Sequence, residues 1–264
     1  MRKPGMRSAS PTDKAMTANG SASTMPPAEA RSVLLRYVAR VVATPAPADS
    51  LARRAARLVL PRPLRAPVRR FLTDAVGIRE RRKVPTLTSR HPLQFQLGSG
   101  GTPKSGWVNI DLVGDPVDLA WNCERRLPFG DAAVDALFHE HLLEHLPLKS
   151  GLDLTLECYR LLKPGGIPRV GVPDVARLLR SWLGQPSDFV ESVRPGRPTP
   201  FLAVQEIFYC CGHRTMYDFE TLALLCRAAG FEVIEQRDFG DSRLSPCPDS
   251  EHRRPETLYV EAVK

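Results

Sequence analysis

The chain has 264 residues, 42% of them hydrophobic and 25% charged, with Lys and Arg outnumbering Asp and Glu 37 to 29. That length allows one large domain or a domain with an appendage, and the composition is globular rather than collagenous or membrane-embedded. The basic excess is uneven: residues 1–90 carry 19 basic against 5 acidic side chains, the remainder 18 against 24. A basic arm on a mildly acidic body is expected where one part meets an anionic surface and the other does not.

In chain order, residues 1–30 are rich in Ser, Ala, Pro and Thr, bury little, and are expected to be disordered. Arg31–Ala43 places Val33, Leu34, Tyr37, Val38, Val41 and Val42 on one helical face, with Arg36 and Arg40 opposite. Leu51–Leu60 and Val68–Arg82 repeat the theme, broken by Pro45, Pro47, Pro61, Pro63 and Pro67. These read as basic amphipathic helices that either lie on an anionic membrane through residues 31–82 or pack their apolar faces on the body. Tyr37 and Phe71 are the arm's stacking aromatics, too few for a specific nucleic-acid partner. No apolar run reaches membrane-spanning length, and Arg36 and Arg40 spoil Val33–Ala43 as a signal-peptide core. The expectation is a cytoplasmic protein, at most peripheral at the membrane. Cys123, Cys158, Cys210, Cys211, Cys226 and Cys247 show no CxxC or zinc-finger spacing and read as reduced packing thiols.

From Leu93 short apolar strands alternate with helices, the pattern of a doubly wound α/β domain over 91–264. Strands are expected at Leu93–Leu97, Val108–Asp111, Val117–Trp121, Val134–His139, Arg169–Val172, Glu232–Asp238 and Leu258–Val263. Helices are expected at Lys149–Leu162, closed by Lys163-Pro164-Gly165-Gly166, and at Asp218–Ala229, with Asp218 as N-cap and Gly230 beyond its end.

The chemistry concentrates where the first strand runs into Gly98-Ser99-Gly100 and the second ends on Asp111. Glycines permit close backbone approach, and a carboxylate closing the next strand can accept both hydroxyls of a ribose, so a nucleoside-containing cofactor at the carboxyl edge is expected. Pro103 stands where a dinucleotide fingerprint needs its third glycine, which disfavours a nicotinamide dehydrogenase. His141-Leu-Leu-Glu144-His145 spells HxxEH, the inverted zinc-protease pattern. It directly follows a buried strand and precedes Pro147, too cramped for a protease helix, so no metal is expected and a zinc hydrolase is the least favoured reading.

A specific resemblance rests on an ordered set: Gly98-Ser-Gly100, Asp111, Leu127-Pro-Phe129-Gly-Asp131, Val134-Asp135, His141-Leu-Leu-Glu-His145-Leu, Glu157-Cys-Tyr-Arg-Leu-Leu-Lys-Pro-Gly-Gly166, Val172-Pro-Asp174 and Ala229-Gly-Phe231. Over essentially all of 91–264 the chain resembles the class I S-adenosylmethionine-dependent methyltransferases of the large bacterial small-molecule group, which includes the menaquinone-type enzymes. The resemblance implies a Rossmann-like, doubly wound, seven-stranded, mostly parallel sheet with a reversed terminal hairpin, and S-adenosylmethionine lying over the first two strands. It implies that Gly98, Ser99 and Gly100 cradle the methionine part, that Asp111 takes the ribose hydroxyls, that Leu112 also contacts the cofactor, and that Asn122 and Leu127 border the adenine. Glu140 and His141 would face the sulfonium and the acceptor. The chain departs from the family in having Gln96 where an acidic residue is frequent and Asn122 where aspartate is common. Its connection from Gly98 to Gly106 is short enough to hold only a turn, and Pro168 is expected to distort the start of the fifth strand.

Methyl transfer from a sulfonium is an in-line displacement, and an alcohol acceptor also needs a base to take its proton. His141 and His213 are the candidates, while the more buried His139 reads as structural. Residues 174–216, with Trp182, Phe201, Phe208 and Tyr209, are expected to form a lid and acceptor pocket. The expected activity is methylation of a small-molecule acceptor, a hydroxyl of a sugar or glycan intermediate, with the arm holding the protein near a membrane. The alternatives are a quinone or polyketide phenol acceptor, or a degenerate cofactor-binding scaffold that acts through partners.

Overall fold

A computed structural model describes residues 32, 33, 35, 36, 61–114, 116–184 and 188–264. The chain divides into two units, Met1–Thr44 and Pro45–Lys264. In the first, the described residues 32, 33, 35 and 36 are helical. The rest of the expected 31–43 helix, the 51–60 helix and the disorder expected for 1–30 lie outside the described residues.

The second unit is built on β1 (Gln94–Leu97), β2 (Val108–Asp111), β3 (Leu119–Ala120), β4 (Val134–Glu140), β5 (Leu162–Pro173), β6 (Val233–Arg237) and β7 (Thr257–Val263). Their order is β3-β2-β1-β4-β5-β7-β6. The first five strands run parallel, and β7 is antiparallel to both neighbours, which gives the expected reversed hairpin. Parallel strands covered on both faces need near-continuous apolar sequence. Phe95, Leu97, Val108, Ile110, Val134 and Leu137 supply it, all of them fully buried. Helices α3 (Leu148–Leu161) and α7 (Phe219–Ala229) close one face, with Leu154, Cys158, Leu161, Leu222, Leu225 and Cys226 in the same core. Asp218 caps α7 by accepting from the Thr221 amide at 2.8 Å, and Gly230 takes the left-handed conformation beyond its end.

Three local expectations are corrected. The basic helix does not begin after the prolines: α1 spans Arg62–Glu80, followed by a 3₁₀ turn and the short α2, Val84–Thr88. Pro63 sits in the first turn, where the missing N–H has no intrahelical partner, and the helix continues past Pro67. Packing on the sheet edge sustains it, since Glu80 accepts from the Ala120 amide at 2.9 Å and Thr73 Oγ1 from the Val113 amide at 2.9 Å. With Leu87 in the main core, the boundary expected at residue 90 falls inside the second unit. Secondly, α3 ends by passing directly into β5 at Leu162; Gly165 adopts its positive φ in an irregular strand start rather than as a helix cap. The register against β4 shifts between Val134 and Ala136, before Pro168. Thirdly, residues 174–216 are not a bare loop. They hold α4 (Val175–Leu183), α5 (Asp188–Val193), α6 (Pro200–Gln205) and a π turn over Glu206–Cys210 around a small core of Leu178, Val190, Ala203 and Ile207.

The Gly98–Gly106 connection is turns only, as its length requires. Gln96 ties it down, its amide donating to the Thr102 carbonyl at 3.1 Å and its carbonyl accepting from the Lys104 amide at 2.8 Å. Across the sheet Arg169 is fully buried, bidentate to Asp249 at 2.6 Å and bonded to Glu261 at 2.9 Å. It thereby holds the β6–β7 loop against β5 and β7.

Candidate functional site

In this strand order the chain reverses direction of travel between β1 and β4, so the carboxyl ends of these two strands open a crevice. Gly98 opens it with φ +65°, and a side chain there would stand 2.8 Å from Leu142 Cδ1. Leu142 thus replaces any bulk at 98, a partner that only the close approach reveals. Gly100 has φ +55° with open space where its Cβ would be, and Gly101 faces open space too. The amides of Gly98 and Ser99 both donate to the Ile110 carbonyl, and that of Gly100 to Asp111 Oδ2 at 2.7 Å. Most of the loop's N–H groups are therefore spent on β2 rather than left for a ligand. Ser99 Oγ is buried without a hydrogen-bond partner.

Asp111 also accepts from the Leu112 amide at 2.5 Å, and Arg69 of α1 reaches to 3.6 Å from its Oδ1 while bonding the Leu112 and Val113 carbonyls. Neither Arg69 nor Thr73 was legible as a site residue, because nothing in the arm's sequence says which edge of the sheet it covers. Asn122 is buried, and its Oδ1 caps its own turn by accepting from the Glu124 amide at 3.1 Å. Beside it a cleft of about 350 Å³ is lined by Thr73, Gly77, Ile78, Arg81 and Trp121. Cys123, against Gly98 and Asp111, is fully buried, and burial pushes its thiol up to about 12; it is packing, not a nucleophile.

Two of the expected site residues are engaged elsewhere in the fold. Leu127 lies in the hydrophobic core, with its amide bonded to Glu157 at 2.7 Å. Glu140 turns toward β7, accepting from Tyr259 Oη at 2.6 Å and the Ser250 amide at 3.2 Å. Its carboxylate answers two donors there, so it is held on that side.

The two expected histidines share one neighbour, Glu144. His141 has φ +54°, a left-handed backbone unusual outside glycine, and its amide donates to the Gly171 carbonyl. Its ring is committed on both sides: Nε2 lies 2.9 Å from Thr257 Oγ1 and Nδ1 3.1 Å from Glu144 Oε1. His213, at the end of the lid, has Nδ1 2.5 Å from the Ile207 carbonyl. A carbonyl only accepts, so Nδ1 carries the hydrogen and Nε2 keeps a lone pair. Burial holds His213 below the usual histidine range despite the nearby Glu144, which favours the neutral ring. His145 stacks edge-on to it at 4.9 Å. Leu143–His145 form one 3₁₀ turn, so HxxEH is not a zinc-protease helix here.

The residues present suit S-adenosylmethionine: an orphaned Ser99 hydroxyl, glycines open at Gly100 and Gly101, and a carboxylate at the end of β2. Residues 113–169 match the family model for a methyltransferase domain. No curated protein matches the chain significantly. Among solved structures it is similar to a SAM-dependent methyltransferase from Archaeoglobus fulgidus, with 14% identity over 73% of this chain and 94% of that one and a TM-score of 0.42. A SAM-dependent methyltransferase from Thermotoga maritima shows 19% identity over 76% and 95%, with a TM-score of 0.40. Haemonchus contortus phosphoethanolamine N-methyltransferase 2, solved with S-adenosyl-L-methionine, shows 13% identity over 69% and 52%, with a TM-score of 0.37.

Proposed function

We propose that the chain is a class I S-adenosylmethionine-dependent methyltransferase whose acceptor is a hydroxyl of a sugar or glycan intermediate; its sheet order and the methyltransferase-domain match over residues 113–169 support the first part of this reading. The cofactor supplies a methyl group on a sulfonium. Gly98, Ser99, Gly100 and Asp111 are the residues that would hold it, with Asn122 at the adenine edge. The hydroxyl loses its proton as its oxygen attacks, and His213 is the residue to receive it. The observation that carries this reading is the fixed tautomer of His213, whose Nε2 lone pair is free while both ring nitrogens of His141 are engaged. Trp182 and Phe201, their rings 5.2 Å apart at a 42° tilt and exposed on the lid, support a sugar, since aromatic faces suit the apolar side of a pyranose ring.

An acceptor screen with methyl-labelled cofactor, run on sugar intermediates and on quinols and phenols, tests the substrate class; labelling of phenols alone refutes the sugar reading. In the same assay His213→Ala should lower turnover 10²- to 10⁴-fold while leaving S-adenosylhomocysteine affinity nearly unchanged. Equal losses in both would remove His213 as a base. A scaffold that has lost catalysis would label nothing under any condition.

The arm supports a peripheral contact with an anionic membrane. On α1, Leu64, Val68, Phe71, Ala75 and Ile78 form one stripe turned away from the sheet, with Phe71 72% and Ile78 81% exposed. Arg79 and Arg82 flank it, which favours anionic lipid over a neutral partner. Among the described residues no helix is long and apolar enough to cross a membrane. Phe71→Glu with Ile78→Glu should abolish binding to phosphatidylserine vesicles; retained binding would place the membrane contact outside this stripe.

A further inference from the structure

We propose that Glu144, His145 and His213 form a binding site for a divalent transition-metal ion of the zinc class, joining the end of the lid to the turn after β4. One ligand atom from each of the three lies within 4.8 Å of the others. Two imidazoles and a carboxylate are a donor set that suits zinc and its first-row neighbours, and not the all-oxygen preference of calcium or magnesium.

Two independent observations point to a cation. Glu144 is fully buried; its Oε1 faces His141 Nδ1 at 3.1 Å, while its Oε2 has no hydrogen-bond partner. His213 shows the arrangement typical of a metal-bound imidazole: one ring nitrogen donates to a carbonyl, which fixes the tautomer and leaves the other lone pair for the ion. His141 plays the supporting part for Glu144, anchored through Thr257.

Ligand atoms about 2.1 Å from a tetrahedral ion lie roughly 3.4 Å apart, so the cluster must contract by up to about 1.4 Å. His145 is only half-buried and can rotate inward. The local backbone is already joined, because the amides of Arg214 and Thr215 both donate to the Glu144 carbonyl and Thr215 Oγ1 to that of Leu146. This is not the HxxEH arrangement: His141 is replaced as a ligand by a residue far along the chain, which spacing cannot show.

The ion would use the same Nε2 lone pair that the proposed reaction needs, so ion and proton exclude each other there. That consequence, unlike the binding itself, rests on the hydroxyl-methylation reading.

The test uses the full chain, stripped with a chelator and titrated with Zn²⁺ by calorimetry in the absence of cofactor. One ion per chain is expected, with His145→Ala and His213→Ala each weakening binding at least tenfold, while His252→Ala, exposed and outside the cluster, leaves it unchanged. Thermal melts of the two histidine variants without metal confirm that they fold. No stoichiometric binding, or binding that survives both substitutions, overturns the proposal; so does binding abolished by Cys211→Ser, which would place the ion on an exposed thiol. Methyl transfer measured in chelator reports on the enzyme reading separately, and added Zn²⁺ should suppress it in the unsubstituted chain.

Discussion

Adding a single methyl group at residue 100 separates a ligand cradle from an ordinary tight turn. Gly100 and Gly240 form a matched pair: φ is +55° and +78°, a Cβ meets nothing within 4 Å at either, and each amide donates to an aspartate, Asp111 at 2.7 Å and Asp249 at 2.8 Å. Gly100→Ala and Gly240→Ala therefore carry the same conformational cost, roughly 1–2 kcal/mol for a left-handed alanine. In a domain of this size that lowers Tm by about 2–8 °C for either variant. They differ in what shares the open space. If the crevice holds the cofactor, the new methyl at 100 intrudes on it, and an overpacking cost of about 1–3 kcal/mol weakens S-adenosylhomocysteine binding roughly 5- to 150-fold. The same methyl at 240 leaves affinity alone. Calorimetry on both variants, alongside thermal melts, reads the two effects independently. Equal melting losses with equal, unchanged affinities would show that the space at Gly100 belongs to solvent, and the cofactor placement would fall.

Replacing Arg169 with Leu strands Asp249 and Glu261 as buried charges, so chemical denaturation should show a loss of about 3–5 kcal/mol. A loss under 1 kcal/mol would mean the network is not held as described. Asp218→Ala removes the α7 cap and should cost about 1 kcal/mol, with little effect on cofactor affinity. His139 gives the pH dependence. Burial pushes it down to about 4, and its Nδ1 has no partner, so the folded protein resists protonation that the unfolded chain accepts near 6.5. The unfolded state then binds more protons below that pH, and stability present above 6.5 is lost progressively toward 4, on the order of 2 kcal/mol between pH 7 and 5. His139→Leu should flatten this acid limb in urea titrations at the two pH values, and an unchanged slope would assign the acid sensitivity elsewhere.

The strand pattern was legible because burial on both faces leaves short apolar runs punctuated by glycine, and β1, β2 and β7 follow it to within a residue. Asp218 and Gly230 were legible for a local reason, since capping depends only on neighbours in the chain. What escaped was tertiary. The start of α1 depends on Thr73 and Glu80 finding the unpaired edge at Val113 and Ala120, an event no local propensity encodes. Glu140 was placed by family position, but Tyr259 and Ser250, more than a hundred residues away, claim its carboxylate. As a motif HxxEH implies a single helix, whereas Glu144 and His145 meet His213 through the folding of the lid.

The short β1–β2 connection has a consequence for how an anion is held. A longer crossover would place a helix N-terminus behind the glycine loop, and its partial positive charge would favour the cofactor's carboxylate. Here no helix follows, and Gln96, with Asn109 also accepting from the Lys104 amide, folds the loop back on β2. The amides of Gly98, Ser99, Gly100 and Thr102 are all consumed internally. What remains is the Ser99 hydroxyl and the Gly101 amide, two neutral donors in place of a dipole. The grip on the cofactor must therefore lean toward its nucleoside end, where Asp111 supplies the full charge. Asp111→Ala should accordingly weaken S-adenosylhomocysteine binding far more than Ser99→Ala does, and calorimetry showing the reverse order would place the main grip at the methionine end.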